Sequence, residues 1–181
     1  MLVQLFISGM NSALTPWMYS KIKKGDIRSM RKVLELLSFV VAGVAVALML
    51  ISPELVLVFG SPKYREAVYV IPPVAASVFF IFLYNILSMP QFYYEKTQFL
   101  MAASMAAAAA NVVLNFIFIR IFGYVAAGYT TLACYILYSV GHYVVSKRIL
   151  VAEGIEENLM DAGFLLACSA FLIGVSVICN L

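Results

Sequence analysis

Charge is confined to short segments of this chain, and the long stretches between them carry none. No Asp, Glu, Lys or Arg occurs from Leu36 to Pro53, from Ala67 to Tyr94, from Thr97 to Ile119, from Ile121 to Ser146, or after Asp161. A helix needs about 20 predominantly apolar residues to cross a bilayer, and most of these stretches reach that length. Of the 181 residues, 64% are hydrophobic and 12% charged, where a soluble domain has about 45–50% and about 25%. A globule of this size cannot hide so much apolar surface in one core. The expectation is an all-α polytopic transmembrane helical bundle of about six spans.

The same distribution excludes several functions. The net charge of +3 is small, and the cations cluster in sequence without forming a surface for nucleic acid. Cys134, Cys168 and Cys179 lie in apolar runs without metal-ligand spacing, so they read as small packing residues and no metal is expected. His142 is the sole histidine, with no nearby nucleophile or carboxylate. Glu54, Glu66 and Glu95 are too scattered for paired acid–base work. No glycine loop cradles a phosphate. An enzyme is not expected, nor a cofactor, and no catalytic residue is assigned. The start Met-Leu-Val-Gln-Leu lacks the basic flank of a signal peptide.

In chain order, Leu2 to about Tyr19 is a short apolar helix interrupted by Pro16. Gln4, Ser8, Asn11 and Thr15 fall at helical spacing on one face. Lys21, Lys23, Lys24, Arg28, Arg31 and Lys32 form the strongest charge cluster. Within it Gly25-Asp26 reads as a turn with Asp26 as helix cap. Ile27, Met30, Val33 and Leu34 give the next segment an apolar side, expected at headgroup depth. Leu34 to Ser52 is a clean span, and Pro53 to Tyr69 reads as a connector. Pro72-Pro73 open a helix running to about Pro90, with Ser77, Tyr84, Ser88 and Gln91 near one face. Phe99 to Arg120 is the next span, with a seam of alanines expected to pack tightly. It carries Asn111 and Asn115 one turn apart. Gly123 to Gly128 is a turn. Tyr129 to Ser146 places Thr131, Tyr135, Tyr138 and His142 on one face. An acidic linker, Ala152 to Asp161, precedes a last apolar helix, which stops at Leu181 with no polar flank, as a fragment would.

Alternate crossings put Lys21, Lys23, Lys24, Arg28, Arg31, Lys32, Lys96, Lys147 and Arg148 on one side. Lys63, Arg65 and Arg120 fall on the other. Cytoplasmic loops carry the excess of basic residues, so the first group is expected inside. Polar stripes in apolar helices turn toward protein or water. Each stripe here suits helix–helix hydrogen bonding or the wall of a wet path, and both readings stand. The basic cluster likewise suits a topogenic signal or contact with anionic lipid or a lipid-linked diphosphate.

Several pieces together resemble a known family. They are Pro53…Phe59-Gly60…Tyr64…Ala67, then Asn111…Asn115, then Gly123…Ala127 before Thr130-Thr131, with Pro16 followed by Lys23-Lys24-Gly25-Asp26. The pattern is similar to the C-terminal half of polysaccharide flippases of the multidrug/oligosaccharidyl-lipid/polysaccharide exporter superfamily, and it covers about residues 1–148. Residues 149–181 look like a linker and an added C-terminal helix.

The resemblance implies one lobe of a two-lobe alternating-access carrier in the bacterial inner membrane. It implies, as substrate, a polyprenyl-diphosphate-linked oligosaccharide held between lobes near the midplane. The partner would be a missing N-terminal lobe or another copy of the chain, with membrane lipid around both. The cavity candidates are Gln4, Ser8, Asn11, Ser88, Gln91, Asn111, Asn115, Tyr135, Tyr138 and His142. The alternatives are a cation-coupled drug exporter of the same superfamily and a non-transporting half-size scaffold.

Overall fold

A computed structural model describes the backbone of residues 2–60 and 62–180, with side chains for all of these except 2–8, 10, 11, 59 and 62–65. The described chain has no strand. It is a bundle of six helices: α1 (Leu2–Lys23), α2 (Ile27–Phe59), α3 (Ile71–Tyr93), α4 (Gln98–Phe122), α5 (Ala126–Ala152) and α6 (Ala162–Ile178). A 3₁₀ segment, Pro62–Tyr69, precedes α3.

Three helical stretches, Ile27–Val58, Glu66–Tyr93 and Gln98–Phe122, are long and apolar enough to cross a membrane. α5 has 27 residues, and its face of Thr, Tyr, Ser and His dilutes the apolar run. α6 has 17 residues, about 25 Å at 1.5 Å per residue. That falls short of a hydrocarbon core of about 30 Å.

Side-chain contacts fix the direction of each helix. α1 runs parallel to α3, since Thr15 Oγ1 reaches Met89 Sδ at 3.7 Å and Tyr19 meets Tyr93 edge-on at 5.3 Å. α5 is also parallel to α3: Ser139 Oγ donates to Phe80 O at 2.9 Å and Ser146 Oγ donates to Leu87 O. α4 is antiparallel to α5, with Ser104 opposite Tyr138, Asn111 opposite Cys134 and Asn115 opposite Thr130. The starts of α2 and α6 meet where Glu35 Oε1 accepts from Asp161 N at 3.1 Å, at the end where α3 and α5 finish, joined there by Lys96 and Glu153, so the six helices alternate up and down.

One end of the bundle gathers most of the charge. There Lys21 pairs with Asp26, Arg28 with Glu157, Arg31 with Glu35 and Lys96 with Glu153. At the other end Tyr124 donates to Glu66 at 2.8 Å, and Asn180 Nδ2 donates to Tyr69 O at 3.0 Å. The slab between is free of Asp, Glu, Lys and Arg, as the sequence distribution requires.

The turn at Gly25 (φ +68°) leads into α2, whose N-cap is Asp26. Its Oδ1 accepts from Ser29 N at 3.3 Å, as the sequence predicts. Beyond that point α2 differs from the expectation. It is one helix of 33 residues, about 50 Å long, from the basic cluster to beyond Pro53. Ile27, Met30 and Leu34 are fully buried while Val33 is exposed, so most of this apolar side packs on neighbouring helices.

Pro53 does not end the helix, because its neighbour compensates. A proline lacks the N–H that would bond the carbonyl four residues back, here Met49 O. Ser52 Oγ donates to that same carbonyl at 2.7 Å. Pro16 and Pro90 are likewise inside α1 and α3.

The core surrounds α3. Ala75, Ala76, Phe79, Phe80, Phe82, Leu83, Ile86 and Leu87 are all buried, and α1, α2, α5 and α6 pack around them. Lipid tails are as apolar as leucine, so close packing and interhelical hydrogen bonds hold such a bundle together. Gly128 shows how close α5 comes to α3. A Cβ there would lie 2.8 Å from Pro73 Cγ and 3.2 Å from Val70 O.

α4 stands apart. It packs on α5, and none of its residues is buried. The expected tight alanine seam is therefore not seen: Ala106, Ala108 and Ala109 are exposed. With a single neighbouring helix, only one side of the run can be covered.

Candidate functional site

α3, α4 and α5 wall a cleft of about 350 Å³ in the uncharged slab. Tyr84 lines it from α3. Ser104, Ala107, Ala108 and Asn111 line it from α4, and Thr131, Cys134, Tyr135 and Tyr138 from α5. Because α4 leaves α5 by the Gly123 turn (φ +75°) and faces Tyr84 across a gap, small side chains on α4 leave room there. Ser104 and Ala108 are exposed, so the cleft is open on that side.

Every polar group on this wall is neutral. Ser104 Oγ and Tyr138 OH share a hydrogen bond of 2.6 Å. Asn111 Oδ1 accepts from Asn115 Nδ2 at 2.9 Å, and Asn115 Oδ1 accepts from Thr130 Oγ1 at 2.6 Å. Asn111 Nδ2 points to Cys134 Sγ at 3.8 Å. This ladder ties α4 to α5 and leaves Asn111 at the cleft with Asn115 behind it. The tyrosine rings form one cluster: Tyr84 lies 4.8 Å from Tyr138 and 6.2 Å from Tyr135, centroid to centroid.

His142 sits at the side of that cluster nearer the charge-rich end of the bundle, fully buried. Tyr138 is 4.5 Å from it and Phe99 5.4 Å, both edge-on. Gln91, also fully buried, places Nε2 2.8 Å from His142 Nδ1 and 3.5 Å from Leu87 O. A carbonyl only accepts, so this end of the amide is the NH₂, and His142 Nδ1 accepts from it. The imidazole proton then resides on Nε2. Among the described residues Gln91 Oε1 and His142 Nε2 have no hydrogen-bond partner.

The sequence-predicted residues thus separate. Asn111, Tyr135 and Tyr138 line the cleft. Asn115 supports Asn111, and Gln91 and His142 form a buried pair beside the cluster. Ser88 is buried and donates to Asn85 O of its own helix at 2.8 Å, away from the cleft lining. The side chains of Gln4, Ser8 and Asn11 lie outside the described residues. In the basic segment, Lys21 also donates to Ser29 Oγ at 3.0 Å, while Lys23, Lys24 and Lys32 are exposed.

Tyr84, Ser104, Thr131 and Cys134 line the cleft without having been candidates. The signals were present. Tyr84 and Thr131 belong to the polar faces of their helices, and Ser104 breaks the alanine run. Among the described residues no group of three or more His, Cys, Asp or Glu is placed to hold a metal. Comparison with family models, curated proteins and solved structures finds no match.

Proposed function

We propose that the chain forms one lobe of a carrier that moves a polyprenyl-diphosphate-linked oligosaccharide across the bacterial inner membrane, for cell-surface polysaccharide. The observation that carries this reading is the chemistry of the cleft. It offers hydroxyls, an amide and tyrosine faces, and no ion, inside a slab of spanning helices. An uncharged hydroxylated ring is the ligand such a wall suits, because hydroxyls bond neutral donors and acceptors and the apolar ring faces lie on aromatics.

The diphosphate needs cations, and none lines the cleft. A second lobe, from another part of the polypeptide or another copy, would supply them. α4, with no buried residue and an apolar outer face, is the surface such a lobe would cover. The cleft also bears on the cation-coupled exporter: no carboxylate among the described residues lies in the slab to bind a coupling ion.

The test is made in the complete carrier. Asn111→Leu and Tyr84→Phe each remove one hydrogen-bonding group from the wall. A lost bond to a bound ligand is worth about 1–1.5 kcal/mol, or about ten-fold in a binding constant. Surface polysaccharide should fall by about that factor while the amount of carrier in the membrane stays normal. Unchanged polysaccharide in both variants would remove the cleft from transport.

A further inference from the structure

One side of α2 carries a continuous exposed row. Arg28, Lys32, Leu36, Phe39, Gly43 and Ala47 follow one another at helical spacings of three and four, which keeps them on one face, and all are exposed. The opposite face, with Ile27, Met30, Leu34, Val41 and Ala45, is buried in the bundle. The row therefore begins with two cations and runs on as apolar surface into the uncharged slab. Lys32 stands one turn, about 5.4 Å, before Leu36.

The acids at this end of the bundle are engaged elsewhere. Asp26 holds Lys21, Glu153 holds Lys96, and Glu35 lies 3.8 Å from Arg31 and accepts from Asp161 N. Glu157 comes only within 3.7 Å of Arg28, whose side chain stays 76% exposed. Among the described residues Lys32 has no ion pair, and neither have Lys23 and Lys24 at the neighbouring turn. A topogenic signal needs this charge but not its direction. Here the free ammonium stands on the outward row of α2, at the level where the slab ends.

We propose that the Arg28–Lys32 end of this row is a site for an anionic glycerophospholipid. The lipid phosphate pairs with Lys32 and Arg28, and an acyl chain lies along Leu36, Phe39 and Gly43. Such a lipid brings the counter-charge that the bundle does not supply, whereas phosphatidylcholine carries its own ammonium. A lipid-linked diphosphate offers similar anionic oxygens. The cleft, however, is walled by α3, α4 and α5, and α2 has no part in it. The occupant is therefore the surrounding lipid and not a substrate in transit. The inference stands apart from the carrier reading.

The experiment uses the full chain with photoreactive p-benzoylphenylalanine in place of Leu36, in nanodiscs of equal phosphatidylglycerol and phosphatidylcholine. After illumination, mass spectrometry reads which lipid is attached. Phosphatidylglycerol should exceed phosphatidylcholine several-fold. A cation near the membrane surface is worth about five-fold in binding of an anionic lipid, so Lys32→Gln should remove most of the excess. Arg28→Gln with Lys32→Gln should bring the two lipids level. Lys32→Arg should keep the excess, which tells a lost charge from a lost fold. The same probe in place of Met105, exposed on α4 with no cation in the two turns before it, should take up both lipids equally. Equal labelling at position 36, or an excess that survives the double variant, would overturn the site. A polyprenyl diphosphate added at one-tenth of the phosphatidylglycerol should not displace it. Displacement would overturn the phospholipid assignment and give the row to the substrate.

Discussion

Gln91 Nε2 and His142 Nδ1 meet at 2.8 Å, joining the last turn of α3 to the interior of α5 through two fully buried side chains. They form a bond between neutral groups in a region where an unmade bond has no water to replace it. Leaving a buried polar group unpaired costs about 1–3 kcal/mol, whereas replacing both partners by apolar groups of similar shape can be nearly neutral. Gln91→Leu and His142→Phe should each lower stability by about that amount. The double variant should lose clearly less than the sum. Unfolding in mild detergent, read as a double-mutant cycle, measures the coupling. Additive losses would mean that the two residues only fill space.

Ser52 and Pro53 give a second, independent cycle. Ser52 Oγ occupies the Met49 carbonyl that Pro53 cannot bond. Ser52→Ala should therefore destabilise α2 by about 0.5–1.5 kcal/mol. With Pro53→Ala in the same chain the backbone amide returns, and most of that loss should disappear. The check is the unfolding midpoint of the four proteins. A Ser52→Ala loss of equal size in both backgrounds would show that the serine acts by packing.

How far the sequence announces this molecule depends on which physical question is asked. Helix number and direction follow from charge segregation, since ionic groups cannot remain in the slab and every boundary is marked by them. The turns at Gly25 and Gly123 are legible because both adopt positive φ, where glycine has no Cβ penalty. Asn111 and Asn115, one turn apart, do bond each other.

Orientation is less legible. Ser88 and Tyr84 occupy the same face of α3 at helical spacing, yet Ser88 satisfies itself on its own backbone while Tyr84 reaches the cleft. A serine that bonds its own helix and one that lines a cavity look identical in sequence. The end of α2 was hidden for a similar reason: proline reads as a stop, and the donor on Ser52 that carries the helix past it is visible only in three dimensions. The seam of alanines reads as packing, but a helix at the margin of the bundle has too few neighbours to bury it.

Gly128 should tolerate no side chain. A Cβ would lie 2.8 Å from Pro73 Cγ and 3.2 Å from the Val70 carbonyl, and neither a proline ring nor a backbone can turn away. Gly128→Ala should lower stability by about 1–3 kcal/mol, as overpacking does, and loosen α5 from α3. Gly43 is the control, because nothing lies within 4 Å of its added Cβ and it is exposed in mid-helix. Gly43→Ala should be neutral or stabilise by about 0.5–1 kcal/mol. Thermal unfolding of both variants decides it, and equal midpoints would show that α3 and α5 can part at no cost.

Asp26 sets a pH dependence at the α1–α2 turn. The hydrogen bond from the Lys21 ammonium, aided by Ser29, holds its carboxyl below the ordinary value of 3.8 despite some desolvation. A carboxylate with a lowered folded pKa binds its proton more weakly than the unfolded chain does. Its stabilising contribution is therefore present above the unfolded pKa and is lost as pH falls through the folded one. Protection of the Ser29 amide, which Asp26 Oδ1 accepts, should be constant down to about pH 4 and decline below it. Asp26→Asn keeps a capping oxygen but cannot titrate, so its protection should show no such decline. Hydrogen exchange across residues 21–30 measures both. A decline of the same shape in Asp26→Asn would assign the acid sensitivity to another group at this end of the bundle.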